Sequence, residues 1–486
     1  MNEKEVGGFS GYDRGPMSTL LIYAKHRRVK SLGRDRNVPS YARDDVTPPL
    51  GLLHLAGALR AEGFPVRVLD DSLASDREVE EAVRSHRIVG ISSLTPNVPR
   101  ALELLDLARG AGAVVIVGGA HASSDPPYFL ERGAHYVVIG EGERTLPELL
   151  RTLEQGGDPA RVKGIGWREE DGTLRFTEPR PLERDLDALP PPAWDLVDMD
   201  RYFDAMGFRV FITMATRGCP AACTFCNKIM SPRVYRKRSP EKVADEVAEY
   251  LERFRSERVY FVDDNFTCDR RWVRAFCGEV LRRGMRFEWE CESRVSDVDL
   301  DLLMTMRRAG CIKIHFGVES GSPRILESIN KKITPEDACR AARAARLAGI
   351  WYKFFLLLGF PWETREDLLA TRRLAFRAMP DILAVSLLIP MPGSALWEQI
   401  QDRLLPDARS FEGLHYYHRK PNYRHDHLTH EELARFRDEL ERDYRAYYRS
   451  PRRKLRRIAE KILYSAAHPT YPWKRLGLAR RHPRSP

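Results

Sequence analysis

The feature that most constrains this 486-residue chain is a repeated alternation of short apolar runs with helical patterns, in two series separated by a proline-rich stretch. The first series is TLLIYA (19–24), VRVLDD (66–71), IVGISS (88–93), VVIVGG (114–119) and YVVIGEG (136–142). Between these runs lie segments such as PLGLLHLAGALRAEG (49–63) and NVPRALELLDLARGAG (97–112), whose apolar positions recur at three and four. Strands alternating with helices in this way predict a parallel sheet with helices on both faces. The second series begins with FITMAT (211–216) and continues with runs at 258–267, 287–295, 312–321, 352–364 and 382–394, each followed by a helical pattern. Six such units predict a partial barrel. The fold class is α/β: a doubly wound, Rossmann-like domain over 17–150, a connector over 151–205, a partial (β/α)6 TIM-like barrel over 206–400 and a mostly helical region with a basic tail over 401–486. The connector holds one strand-like run, VKGIGWRE, and three consecutive prolines, which favour extended chain.

Ligands of parallel sheets bind beyond the carboxyl ends of the strands. In the first series those ends carry Ser92, Ser93, Leu94 and Thr95, then Gly118, Gly119 and His121, then Gly140, Glu141, Gly142 and Glu143. Glycines there serve either a large ligand approached closely by backbone or the ordinary turns of such a sheet. No G-x-G-x-x-G follows the first strand, which argues against a dinucleotide.

Three of the eight cysteines, Cys219, Cys223 and Cys226, stand in the stretch TRGCPAACTFCNK, and no cysteine precedes them. Structural zinc usually takes paired C-x2-C units, and no second pair exists in the chain. Thiol redox chemistry needs only two cysteines. Three thiolates spaced C-x3-C-x2-C suit a [4Fe–4S] cluster with one iron left open for a further ligand. The remaining cysteines, Cys268, Cys277, Cys291, Cys311 and Cys339, are scattered singly and read as small buried residues.

With Phe225 before the last cysteine, the motif resembles that of the radical S-adenosylmethionine (SAM) enzymes. The S-x-L turn at Ser92–Leu94 and the pair Gly118–Gly119 resemble cobalamin-binding domains, without the D-x-H-x-x-G motif that supplies a cobalt-ligating histidine in many of them. Residues 19 to about 400 therefore resemble the cobalamin-dependent radical SAM enzymes, in the branch of the anaerobic magnesium-protoporphyrin ester cyclase and the hopanoid-associated enzymes. The resemblance implies three cofactors: a [4Fe–4S] cluster on Cys219, Cys223 and Cys226, SAM, and cobalamin. It implies SAM contacts at Asp263, Asp264 and Asn265, at Arg294 and at Glu319. For cobalamin it implies contacts at Ser92, Leu94, Gly118, Gly119, His121 and Glu141. Structural alternatives exist for several: Asp263 or Asp264 capping the next helix, Arg294 pairing with a structural acid, and His121 packing under a helix.

The activity implied is a methyltransferase that moves a methyl group from methylcobalamin to an unactivated carbon through a 5′-deoxyadenosyl radical. The alternatives are a ring-forming cyclase without methyl transfer and, in another class, a non-catalytic cobalamin-binding sensor. A methylthiotransferase is disfavoured, because its second cluster needs N-terminal cysteines that are absent here. The implied partners are a small-molecule or lipid-like substrate and an external electron donor of the flavodoxin or ferredoxin type.

Charge locates a further feature. The net charge is +10, and from Pro451 onward eleven Lys or Arg face one acid, so the rest of the chain is neutral overall. Nucleic acid is an unlikely partner, since no recognised binding module accompanies the tail. RRKLRRIAEKILYSAA (452–467) places Leu455, Ile458, Ile462 and Ala466 on one helical face, with Tyr471 and Trp473 beyond, as in a helix at an anionic membrane surface. The alternative is a helix docked on the barrel. No apolar run is long enough to span a bilayer and MNEKEVGGFSGYDRG lacks an apolar signal region, so the expected location is cytoplasmic, with peripheral contact at the inner face of the membrane through the tail. The histidine-rich stretch 414–430 (His415, His418, His425, His427 and His430) is read as a solvated or site-closing segment.

Overall fold

A computed structural model describes residues 18–25, 46–227, 229, 232–406, 408, 411 and 422–467. It divides into two compact units, residues 1–206 with 410–413, and 207–409 with 414–486.

The first unit is built on a seven-stranded sheet. Its strands are β1 (Thr19–Tyr23), β2 (Val66–Asp70), β3 (Ile88–Ser92), β4 (Val114–Gly118), β5 (Tyr136–Val138), β6 (Ile165–Arg168) and β7 (Leu174–Phe176), in the order β2-β1-β3-β4-β5-β6-β7. The pairs through β5 are parallel, and β6 and β7 add antiparallel. The apolar runs predicted as strands become buried ones because helices cover them: Leu20, Leu21, Ile22, Val89, Val115 and Val117 are almost wholly inaccessible. Within the expected connector at 151–205, the strand-like run VKGIGWRE supplies β6, which with β7 extends the sheet as a hairpin. The turn is supplied by Asp171 and Gly172, whose φ of +88° favours glycine.

The second unit carries a six-stranded, wholly parallel sheet in the order β15-β14-β13-β12-β11-β8, with β8 (Phe211–Thr213), β11 (Arg258–Phe261), β12 (Glu288–Ser293), β13 (Cys311–Glu319), β14 (Trp351–Leu358) and β15 (Ile382–Leu387). A small antiparallel pair, β9 (Thr216–Arg217) and β10 (Arg236–Lys237), brackets the cysteine loop. Side chains alternate along each strand. On the helix-covered face, Phe261, Phe266, Trp272, Phe276 and Trp289 pack edge-to-face and stacked as one aromatic cluster. On the opposite face, Tyr260 donates to Glu292 at 2.6 Å, and Glu290 accepts from Lys313 and from His315, the latter at 2.8 Å. Side-chain caps start the helices that return each strand: Ser239, Asp269, Asp299, Ser322, Thr334, Thr364 and Ser394 each accept from the first turn. They leave the strand ends free for other work.

Candidate cofactor sites

In the first unit, the loops after β3 and β4 are tied to one another. Ser93 N–H donates to Gly118 O at 2.8 Å, and His121 N–H donates to Ser93 O at 3.0 Å. Gly119 sits at φ +97°, and a Cβ there would stand 2.7 Å from Ser93 O. Only glycine suits that position. Gly118 meets no such obstacle. Asn97 braces the loop after β3 from below: its Oδ1 accepts Leu94 N–H at 2.7 Å, and its Nδ2 donates to Ala24 O at 2.8 Å. Because β3, β4 and β5 are neighbours, Ser92–Thr95, Gly118–His121 and Gly140–Glu143 form one continuous rim. Glu141 is half-buried on it.

His121 is fully buried rather than exposed at that rim. Its Nδ1 lies 3.2 Å from Thr95 Oγ1, and Tyr128, Phe129 and Phe411 meet the ring edge-on. Burial holds its pKa down to about 4, so the imidazole is neutral. No histidine on this rim is presented as a cobalt ligand, in keeping with the missing D-x-H-x-x-G motif.

In the second unit, the cysteine loop is pinned from several strand ends. Gly218 enters it at φ +85°, where a Cβ would collide with Val234 O and Pro232 O. Gly218 N–H donates to Asp264 Oδ2 at 3.2 Å, and Cys219 N–H to Pro232 O at 3.3 Å. Thr224 N–H donates to Ile329 O, Asn330 Nδ2 to Ala222 O, and Leu396 N–H to Thr224 O. Cys219 and Cys223 are buried, Cys226 is half-buried, and none of the three is in a disulfide. Arg294 Nη1 stands 3.5 Å from Cys223 Sγ. Among the described residues no three His, Cys, Asp or Glu side chains are arranged to hold a single metal ion. A cubane cluster puts each thiolate on a different iron, so its ligands need not converge on one point. Three cysteines outside any disulfide, one of them beside a guanidinium, in a loop held by its backbone, fit that group.

Around this loop the predicted contacts separate into two kinds. Asp263 is fully buried and accepts the backbone N–H of Ala215 and Thr216 and the Thr216 hydroxyl. Burial pushes its carboxyl up to about 7 against those hydrogen bonds. Neither Asp263 nor Asp264 caps the next helix, which Asp269 does. Asn265 donates to Asp297 Oδ2 at 2.7 Å and accepts Arg294 N–H at 3.3 Å. These side chains set the shape of the strand end.

Glu319 and Arg294 are differently placed. Glu319 ends β13 at φ +69°, a conformation that costs a non-glycine residue about 1–2 kcal/mol. Its Oε1 accepts from Lys331 Nζ at 2.7 Å in a buried ion pair. Lys331 also lies 5.7 Å over the Phe225 ring, and its carbonyl accepts from Arg294 Nη2. Gly317 lies against this pair: a Cβ there would be 2.8 Å from Glu319 Oε1, so the side chains of the pair would have to shift. Arg294, Glu319 and Lys331 therefore make one charged patch against the cysteine loop. Lys331 was not singled out from the sequence. In INKKI (329–333), Asn330 and Lys332 both take positive φ to turn the chain back. Glu363, in LGFPWET, was also not singled out as a site residue. It is fully buried, accepts Gly359 N–H at 2.6 Å, and burial pushes it up to about 8. Tyr423, from the histidine-rich stretch, donates to Gly359 O beside it. His415 and His418 lie outside the described residues.

A cluster-binding barrel with a doubly wound domain in the same chain defines the class as a cobalamin-dependent radical SAM enzyme, and comparison with known proteins agrees. The radical SAM superfamily matches residues 213–375, and the B12 binding domain matches residues 42–150. The uncharacterized methyltransferase PH0819 of Pyrococcus horikoshii is 31% identical over 426 residues, covering 85% of this chain and 90% of that protein. The anaerobic magnesium-protoporphyrin IX monomethyl ester cyclase of Rubrivivax gelatinosus is 30% identical, covering 74% and 67%. Among solved structures, the radical SAM methyltransferase TsrM of Kitasatospora setae, with cobalamin and a [4Fe–4S] cluster bound, shares the fold with a TM-score of 0.67 at 21% identity, covering 80% of this chain and 76% of that one. The chain belongs to the radical SAM superfamily, in its cobalamin-binding branch, and its cofactors are a [4Fe–4S] cluster, SAM and cobalamin.

Proposed function

We propose that this enzyme methylates an unactivated carbon of a small or lipid-like substrate. The observation that carries methyl transfer is that similarity to the methyltransferase PH0819 runs through both units at once. When bound, the cofactors supply the radical and the methyl group; the protein supplies binding, orientation and exclusion of water. Cys219, Cys223 and Cys226 hold the cluster. Glu319, aimed by Lys331, binds the ribose or amino-acid part of SAM, and Arg294 pairs with its carboxylate. Arg suits that task because its planar fork matches a carboxylate. Asp263, Asp264 and Asn265 border the SAM amino group while holding β9 and Arg294 in place. Ser92, Leu94, Gly118, Gly119 and Glu141 line the corrin, and His121 supports that surface from beneath. A flavodoxin- or ferredoxin-type protein delivers the electron. The enzyme works in the cytoplasm, with its basic C-terminal segment at the inner face of the membrane. No described helix is long and apolar enough to cross one.

The test is anaerobic reconstitution with iron, sulfide and cobalamin, followed by turnover with CD3-labelled SAM and reductant. Labelled methylcobalamin together with 5′-deoxyadenosine supports methyl transfer. Deoxyadenosine with bound, unlabelled cobalamin supports instead the ring-forming chemistry that the name of the Rubrivivax relative describes.

A further inference from the structure

The helix Pro451–Ala467 docks on the second unit by its charges and turns its apolar side to solvent. Arg453 and Arg457 both reach Asp381, at 3.1 and 2.6 Å, and Glu460 receives a two-pronged contact from Arg346 at 2.6 and 2.8 Å. At 100° per residue, Arg453, Arg457, Glu460 and Tyr464 share one face. Leu455, Ile458 and Ile462 lie on the opposite one and are 66%, 54% and 63% exposed, with neighbouring Leu463 at 69%. A helix that merely completes a globular core shows the reverse arrangement. Cations flank the stripe, with exposed Arg452 and Arg456 on one side and Lys454 on the other.

A second observation adjoins the first. Along the edge of the helix runs a groove lined by Arg343, Arg346, Arg377 and Arg456, with Ala459 and Leu463 as its apolar lip. Glu460 is the carboxylate among its lining residues, and it is engaged by Arg346 and, at 3.5 Å, by Arg343. Arg377 pairs with Glu336 at 3.0 Å, yet the side chains of Arg343 and Arg377 remain about half exposed (53% and 48%). The groove keeps an excess of guanidinium groups beside an apolar ridge.

We propose that this face is an interfacial anchor for an anionic membrane. Leu455, Ile458, Ile462 and Leu463 enter the acyl boundary, and the arginine groove receives lipid phosphate. Apolar burial and attraction to anionic lipid both contribute to such binding, and Arg is suited to phosphate through paired N–H donors. The anchor stands independently of the methyl-transfer chemistry. It rests on a helix remote in sequence from the cysteine loop.

The test is flotation of the full-length holoenzyme with vesicles of phosphatidylcholine alone or mixed with phosphatidylglycerol. The expected result is at least about tenfold stronger partitioning to the anionic vesicles, weakened by salt. The combined substitutions Leu455→Ser, Ile458→Ser and Ile462→Ser should lower binding to both by more than about tenfold. Arg343→Gln with Arg377→Gln should remove only the preference for anionic lipid. Iron and cobalt content, unchanged in every variant, shows that the protein is folded. Equal partitioning of the wild type to both vesicles overturns the proposal, as does wild-type binding by the serine variant. A concentration-dependent dimer abolished by the same serine substitutions would assign the stripe to a second copy, and tight RNA binding lost with the arginines would assign the groove to nucleic acid; either overturns it.

Discussion

The parallel strands of the two sheets of this chain present their carboxyl ends in contrasting ways. In the first unit the rim is backbone and small residues, tied by Ser93, Gly118, Gly119 and His121, with its histidine neutral and buried. In the second unit the rim is charged, with Arg294, Glu319 and Lys331 massed against the cysteine loop and Glu319 held in a left-handed conformation. A broad, rigid cofactor is held by shape, which a glycine turn provides at little electrostatic cost. A zwitterionic one is held by charge, which needs buried ions and a strained strand end to aim them. Substitutions should therefore act by steric clash in one unit and by lost charge in the other.

The largest effect is expected at the cysteines. Replacing any one of Cys219, Cys223 or Cys226 by Ala should remove the iron–sulfur absorbance and reduce 5′-deoxyadenosine formation to background, measured chromatographically after reconstitution. Bound cobalamin should be unaffected. Next comes Gly119→Val. Its side chain must occupy the space 2.7 Å from Ser93 O at a positive φ, so the first unit should lose about 2–4 kcal/mol of stability and its cobalamin, while the cluster stays. Denaturant titration and cobalt analysis check this.

The charged rim should respond through SAM affinity. Glu319→Gln and Lys331→Met are each expected to raise the SAM dissociation constant roughly 10- to 100-fold, or about 1.4–3 kcal/mol. The double variant should be little worse than either, because the ions act as a pair. Additive losses in equilibrium dialysis would show that they act separately.

The last effect is read through pH and concerns Glu363. Its carboxyl is raised from the ordinary 4.5 to about 8, so the stability it contributes is complete below about 4.5 and is lost as pH rises toward 8. Glutamine copies the protonated form and has no such loss. Glu363→Gln should therefore gain on the wild type by up to about 1.4 kcal/mol per pH unit across that window, read from unfolding midpoints. A constant difference would show that Glu363 is ionised in the folded protein.

The alternation of strands and helices was legible because buried parallel strands read as apolar runs and, in the second unit, helices open on side-chain caps such as Thr334 and Thr364. The cysteine loop was legible because its spacing is local. The hairpin of β6 and β7 was hidden by the prolines that follow, although Asp171–Gly172 carried its turn signal. Lys331 was illegible for a different reason. Its importance arises from a chain reversal that returns it to Glu319, twelve residues earlier, and no periodicity encodes that pairing. In the terminal helix the apolar stripe could be read from the sequence. Which side docks depended on Asp381 and Arg346, contributed by distant elements.

The division of labour between the two rims is tested most directly by metal analysis of three reconstituted proteins: the wild type, the triple Cys219, Cys223 and Cys226→Ala variant, and Gly119→Val. The wild type should hold about four iron atoms per chain together with stoichiometric cobalt. The cysteine variant should keep its cobalt without the iron, and the glycine variant its iron without the cobalt. Loss of both metals together in either variant, or a wild type that takes up no cobalt, would contradict the assignment of one cofactor to each sheet.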